Sequence, residues 1–443
     1  MKRTLFWLFL SLSFSPQAWS KPIPKETDAA AYARIVKKLT DVMVTDATGP
    51  NASARYYAYA NLAAYELLYQ QQRPGNYVSF NGLLRAYPAF SLPKPASPID
   101  VRFGCLYAVL RMGEEMLPSG YMLEEARTEL VRDTKSQYHL TEATLKATQV
   151  YADSLVKKLV QYATKDGYIK TSGYLRYTPT NKPGYWQPTP PAYSEAYEPY
   201  WATVRPFLLD SAAQFRPAPA IAYAEQPGTP FYNLAREVYD TTRALTADQS
   251  HIADFWDCNP FFLNQKGHVS FGTKKISPSG HWMGITAIAC TQRKLSLAET
   301  VRWHALVGIT MADAFISCWE EKYHSDRVRP ETFINQKIDR NWRPKLQTPP
   351  FPEYTSGHSV VSNSIAVVLT ALAGDPVPYT DIVEVEYGVP ARSYRSFQHA
   401  AREAAISRLY GGIHFRDSIE NGMRQGERIG QFVVQKMGMK PGG

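Results

Sequence analysis

The sequence predicts an all-α protein, one or more helical bundles crossed by an extended strap rich in proline and aromatic residues. Three observations carry this. Apolar residues recur three and four apart along most of the chain, the period of a helix buried on one face. Alternating runs of strand type are scarce, and there is no internal repeat. Between residues 168 and 230, prolines and aromatics crowd together. Proline removes a backbone donor and fixes φ, so helices stop there. With 443 residues, 44% of them hydrophobic, the chain can bury a substantial core.

Taken in order, residues 1–20 read as a secretory signal peptide. Lys2 and Arg3 precede an apolar run from Leu5 to Phe14, and Ala18-Trp19-Ser20 offers a cleavage site. The expected location is secreted or periplasmic. No later run is long and apolar enough to span a bilayer, so no integral membrane segment is expected after signal removal. Residues 21–167 form an N-terminal helical region, with periodic stretches such as "DAAAYARIVKKLTDVMV" and "NASARYYAYANLAAYELLYQQ". The helix of "LTEATLKATQVYADSLVKKLVQYATKDG" ends at Asp166-Gly167. The strap, 168–230, holds too many Tyr and Trp residues for a disordered linker. It either packs over the helices or roofs a cleft. Residues 231–443 return to helical periodicity, with many Ala, Gly and Ser suited to close helix packing.

The net charge is +9, and loss of Lys2 and Arg3 leaves +7. No block of Lys or Arg suggests a nucleic-acid partner, and the mild excess favours anionic small molecules. Cys105, Cys258, Cys290 and Cys318 lack the spacing of a metal motif. An exported protein can pair them in one or two disulfides or bury them as free thiols, and the sequence does not choose.

Three clusters carry the candidate chemistry. "KYHSDRVRP" sets Lys322 near a helix end and Arg329-Pro330 seven residues on. Ser356-Gly357-His358 opens a helix whose first N–H groups are free for an anion. "SRLYGGIH" separates Arg408 from His414 by Gly411-Gly412, which can break the helix and turn both side chains inward. Two guanidiniums, an ammonium, a hydroxyl, backbone amides and two imidazoles match a tetrahedral oxyanion in charge and donor number. One imidazole can attack or ligate the central atom, and the other can move a proton near neutral pH.

Lys-x6-Arg-Pro, Ser-Gly-His and Ser-Arg-x5-His, in that order over 322–414, resemble the signature of a known superfamily. It joins type 2 phosphatidic-acid phosphatases, bacterial acid phosphatases and vanadium-dependent haloperoxidases. Softer similarity to secreted bacterial haloperoxidase-like proteins runs through "GYWQPTPP", "PFLLDSAAQFRPAPA", "FYNLAREVYD", "IADFWD" and "SGHWMGI". The resemblance implies a helical bundle of the haloperoxidase/acid phosphatase type with the oxyanion at one end. By carry-over, Lys322, Arg329, Ser356, Gly357 and Arg408 hold vanadate or phosphate. His414 ligates vanadium in a haloperoxidase or attacks phosphorus in a phosphatase. His358 serves as acid–base, and Lys322 polarises peroxide. Trp319 and Phe351 match an aromatic pair bordering the halide site of vanadium chloroperoxidases.

The chain departs from that pattern in places. Thr355 stands where proline is usual. The acid expected three residues beyond the ligating histidine's successor is displaced: "HFRDSIE" puts Asp417 one residue early and Ser418 in its slot, leaving Asp417 or Glu420 to support His414. Asp254 and Asp257 both compete to brace an arginine. Pro278-Ser279-Gly280-His281 repeats the Ser-Gly-His motif but precedes Lys322. Its position makes His281 a structural or pocket-wall residue, with a supporting site role as the alternative. Three functions follow from the resemblance. The first is a vanadate-dependent enzyme acting on halide and hydrogen peroxide. The second is a soluble phosphomonoesterase needing no cofactor, and the third is a non-catalytic oxyanion-binding protein.

Overall fold

The structure, a computed structural model, describes residues 26–72, 77–89, 92, 94–260, 262–266, 268–272, 275–374 and 376–439. The signal-peptide stretch 1–20 lies outside them. The architecture is all-α, as the periodicity predicts. The first half holds α1 (Asp28–Thr45), α2 (Pro50–Gln72), α3 (Val101–Met116), α4 (Glu124–Tyr138), α5 (Glu142–Ala163) and the single turn α6 (Tyr168–Thr171). The second holds α7 (Pro230–Arg243), α8 (Ala247–Phe255), α9 (Pro278–Gln292), α10 (Leu297–Ser325), α11 (Pro330–Lys337), α12 (Gly357–Ala373), α13 (Phe397–Tyr410) and α14 (Arg416–Lys436). Two short antiparallel pairs complete it: β1 (Leu263–Lys266) with β2 (Val269–Gly272), and β3 (Tyr379–Asp381) with β4 (Arg392–Tyr394).

Helix starts follow their caps. Thr27, Thr141 and Ser296 each accept a first-turn N–H, and Ser296 with Glu299 forms a reciprocal capping box. The third predicted helix ends at Ala163, and Gly167 just beyond takes φ +95°, a conformation glycine adopts without steric cost.

The two helical halves are not separate bodies. One buried cluster runs from Ala29 to Met437 and draws on both. Its centre is α10, packed between α2 and α12, with α14 beyond α12. Gly308 permits this approach, because a Cβ there would lie 3.0 Å from the Ala58 Cα of α2. The strap crosses α10. The buried Asp313 carboxylate on α10 accepts the backbone N–H groups of Phe207, Leu208 and Leu209 at 2.6, 2.7 and 3.1 Å. Its own Trp186 and Trp201 are fully buried. All four cysteines are buried free thiols, so the disulfide alternative does not apply. Among the described residues, no helix is long and apolar enough to cross a membrane.

Candidate active site

The ends of α10, α12 and α13 meet at one cleft of ≈ 560 Å³. Trp319, Phe351, Gly357, His358, Arg408 and His414 are among the residues lining it. All but Phe351, which sits in the loop before α12, lie at or near a helix terminus. α10 runs past Lys322 and stops at Asp326, left-handed at φ 47°. Arg329 then caps α11, with Pro330 at its first position. α13 ends at Tyr410, and Gly412 at φ +76° turns the chain so that Ile413 and His414 face the cleft.

Arg329 and His414 are in direct contact, Nη1 lying 3.1 Å from Nε2. Arg329 also donates from Nε to the Phe351 carbonyl (2.8 Å) and from Nη1 to that of Ile413 (2.9 Å). Its Nη2 is buried and has no protein partner. Arg408 donates to Ser407 Oγ (2.9 Å) and to the Trp256 carbonyl (2.6 Å). Burial lowers the pKa of Arg329 to about 10, and that of Arg408 below its usual range.

His414 is neutral. Burial first, then Arg329, Lys322 and Arg408, hold its pKa well below the usual imidazole value. Its Nδ1 lies 2.8 Å from Glu353 Oε1 and 3.3 Å from Ser418 Oγ. A carboxylate only accepts, so the ring proton sits on Nδ1 and Nε2 presents a lone pair to the cationic side. Burial, Arg408 and His414 likewise keep His358 neutral, and its Nε2 is buried without a partner.

The carboxylate support differs from the sequence expectation. Neither Asp417 nor Glu420 touches His414. Asp417 accepts from Arg327 Nη1 with both oxygens at 2.9 Å. Glu420 is half-exposed beside Arg424 at 3.7 Å. The brace is Glu353, three residues before Ser356 and fully buried. Arg327 links the two acids, lying 3.3 Å from Glu353 Oε2. On α14, position 418 faces the ring, and one residue of helix rotates Asp417 about 100° away. The only sequence signal for Glu353 was an isolated acid in the segment "PPFPEYTSGH".

Lys322 also differs in detail. Its Nζ donates to the carbonyls of Pro352 (3.0 Å), Glu353 (3.1 Å) and Thr355 (2.6 Å). All three N–H groups are used on the loop that carries Glu353 into α12, so Lys322 organises that loop and adds charge behind the site. Burial lowers its pKa to about 7. Ser356 caps α12, accepting from Ser359 N at 3.4 Å. At Gly357 an added Cβ would meet only the Trp319 ring, at 3.8 Å. The helix start is therefore open on its cleft side.

Trp319 and Phe351 pack with ring centroids 4.9 Å apart, and Tyr197 of the strap lies 6.4 Å from each. Asp254 pairs at the surface with Lys345 at 2.8 Å. Asp257 lines the cleft and supports the charge of Arg408. His281 is buried outside the cationic cradle, stacked on Trp256 with centroids 4.6 Å apart.

A neutral, carboxylate-braced histidine facing a buried guanidinium and an open helix N-terminus defines an oxyanion-dependent enzyme built on a helical bundle. An orphan Arg329 Nη2, an unpartnered His358 Nε2 and the vacant side of Gly357 are the features that vanadate, a tetrahedral oxyanion, would satisfy. The family model described as "VCPO second helical-bundle domain" matches residues 302–441. A solved structure of the first bacterial vanadium-dependent iodoperoxidase is 40% identical, with a TM-score of 0.86 over 94% of this chain and 98% of that one. Bacterial vanadium-dependent chloroperoxidases share the fold at lower identity. The holo form is 17% identical (TM-score 0.64, 88% of this chain and 93% of that one), and the apo form 16% (0.65, 88% and 94%). No curated protein matches the chain by sequence. The chain belongs to the vanadium-dependent haloperoxidase family.

Proposed function

We propose that this chain binds vanadate at His414 and oxidises halide with hydrogen peroxide, iodide being the preferred halide. The observation that carries it is the orientation of His414, with Nδ1 on Glu353 and the Nε2 lone pair turned to the cationic side, 3.1 Å from Arg329 Nη1. His414 Nε2 would ligate vanadium, while Arg329, Arg408 and the N-terminal amides of α12 would hold the oxygens. Bound vanadate supplies a Lewis-acid centre at which hydrogen peroxide becomes electrophilic toward halide. His358, neutral and bare at Nε2, accepts a proton from incoming peroxide at that nitrogen. Arg329 and Arg408 face the developing negative charge with fixed donors.

The iodide preference draws on the 40% identical relative, described as an iodoperoxidase. It draws also on the aromatic wall made by Trp319 and Phe351, with Tyr197 packed against both. Aromatic edges carry slight positive charge and suit a large, weakly hydrated anion. The basic, apolar start of the sequence adds export to the proposal, with action outside the cytoplasm.

The test is peroxide consumption by the vanadate-loaded protein with iodide, bromide or chloride, alongside aryl phosphate hydrolysis. Vanadate-dependent turnover highest with iodide is expected, and His414→Ala should abolish it. Phosphate hydrolysis that vanadate merely inhibits, without halide oxidation, would select the phosphomonoesterase. Oxyanion binding with neither turnover would select a binding protein.

A further inference from the structure

Behind the wall of the cleft, three side chains from distant parts of the chain point donor atoms at one another. Cys258 Sγ and Glu384 Oε1 each lie 3.2 Å from His281 Nδ1, and 3.4 Å from each other. All three residues are buried, at 3%, 6% and 0% exposure for Cys258, Glu384 and His281. We propose that Cys258, His281 and Glu384 form a binding site for a single zinc ion that ties the cleft wall together.

The triangle has the right size. Tetrahedral zinc with bonds of about 2.0–2.3 Å to N, O and S separates its ligand atoms by about 3.3–3.6 Å. The donor set fits as well, because a thiolate, an imidazole and a carboxylate together suit an ion of borderline softness. The support around the imidazole is the second observation. His281 Nε2 lies 2.8 Å from Asp381 Oδ2, and a carboxylate on the far nitrogen of a ligating histidine orients the ring and sets its tautomer. A carboxylate faces each ring nitrogen, so zinc would take the place of the proton on Nδ1 while Asp381 keeps the one on Nε2. Neither Asp381 nor Glu384 pairs with a Lys or Arg among the described residues.

The location gives the ion a role. Cys258 follows α8, His281 sits in the first turn of α9, and Glu384 lies between β3 and β4. Cys258 itself lines the cleft. Two residues earlier, the Trp256 carbonyl holds Arg408 and its indole stacks on His281. A zinc ion here would fix the segment that positions Arg408. Three protein ligands leave one coordination position, which water fills in sites of this type.

The experiment titrates the chelator-stripped full chain with Zn²⁺ against a competing indicator, then with Co²⁺ read by absorbance. One tight ion per chain is expected, with a thiolate-to-cobalt band in the near ultraviolet. Cys258→Ala and Glu384→Gln should lose tight binding, and Asp381→Asn should weaken it by roughly 10–100-fold. His414→Ala should leave it unchanged. Wild-type binding no tighter than that of Cys258→Ala, or bound cobalt without the thiolate band, overturns the proposal and leaves a hydrogen-bonded histidine cluster. Should Cys258→Ala fail to fold, the band on the wild-type chain decides alone.

Discussion

A ring nitrogen ligates or attacks only when the proton rests on the other nitrogen. In His414 that choice falls to Glu353, 61 residues earlier in the chain. Glu353→Gln keeps the shape and removes the charge, so vanadate affinity should drop by roughly 10–100-fold. Titrating the apoprotein with vanadate, read by recovered activity and by tryptophan fluorescence, measures it. If Asp417→Asn falls this far and Glu353→Gln does not, the brace has been misassigned. A second expectation concerns Lys322, whose ammonium burial brings down to about 7. An anion favours the charged form, so affinity holds below that pH and weakens above it, at most about tenfold per pH unit. Sulfate does not titrate in this range, and His358 and His414 are already neutral. A sulfate titration from pH 6 to about pH 9 therefore isolates the lysine, and Lys322→Met should flatten the profile. An unchanged slope in that variant would assign the proton elsewhere. These two residues also mark how far the sequence could be read. Lys322, Arg329, Ser356, Gly357, His358, Arg408 and His414 each sit in a short local motif, and the structure gathers those motifs at the helix ends around one cleft. Glu353 has no such motif, and Asp417 drew attention only through its closeness to His414 in sequence. Which face of α14 looks at the ring is a matter of helix phase.

At the scale of elements, the site depends on how closely α14 lies against α12. Gly422, Gly426 and Gly430 recur every four residues on the contact face. A Cβ at Gly426 would come 2.1 Å from the Val360 carbonyl, and one at Gly430 2.7 Å from that of Ser364. At Gly422 it would meet Ser359 Cβ at 2.9 Å, beside the Ser356 cap. The obstacle at Gly426 and Gly430 is backbone, which cannot rotate aside. Gly426→Ala should therefore cost about 1–3 kcal/mol or more, as overpacked interiors do, and should lower the melting temperature. Gly357→Ala is the contrasting case, because its new methyl would meet only the Trp319 ring at 3.8 Å. That variant should melt with the wild type yet bind vanadate more weakly, since the methyl fills the open side of the helix N-terminus. Thermal denaturation with a parallel vanadate titration separates the two. A Gly357→Ala protein that binds normally would remove the α12 amides from the site. The small-residue content of the second half announced close packing, but a single sequence does not say which helices approach.

At the scale of the molecule, the N-terminal half and the strap complete the catalytic half. The sequence divided the chain at residues 167 and 230 because proline interrupts helical periodicity there, which is a statement about local backbone. Burial is not local. Helix α2 is buried along nearly its whole length, from Pro50 to Leu68, and α10 is buried on all sides from Trp303 to Trp319. The strap is held to α10 by Asp313 and brings Tyr197 beside Trp319 and Phe351. Pro50 of α2 even lines the cleft. Residues 231–443 alone would expose the apolar face of α10 and leave the Asp313 carboxylate without its three amide donors. Each lost partner of a buried polar group costs about 1–3 kcal/mol, and a whole domain has only about 5–15 kcal/mol to lose. The fragment should therefore lack a cooperative thermal transition and bind no vanadate, although it contains every motif residue from Lys322 to His414. Co-expression of residues 21–230 as a separate chain should restore both properties if the shared core is the cause. Calorimetry of the fragment, alone and with its partner, checks this. A fragment that melts cooperatively by itself would make the second half an independent domain and reduce the first to a cover.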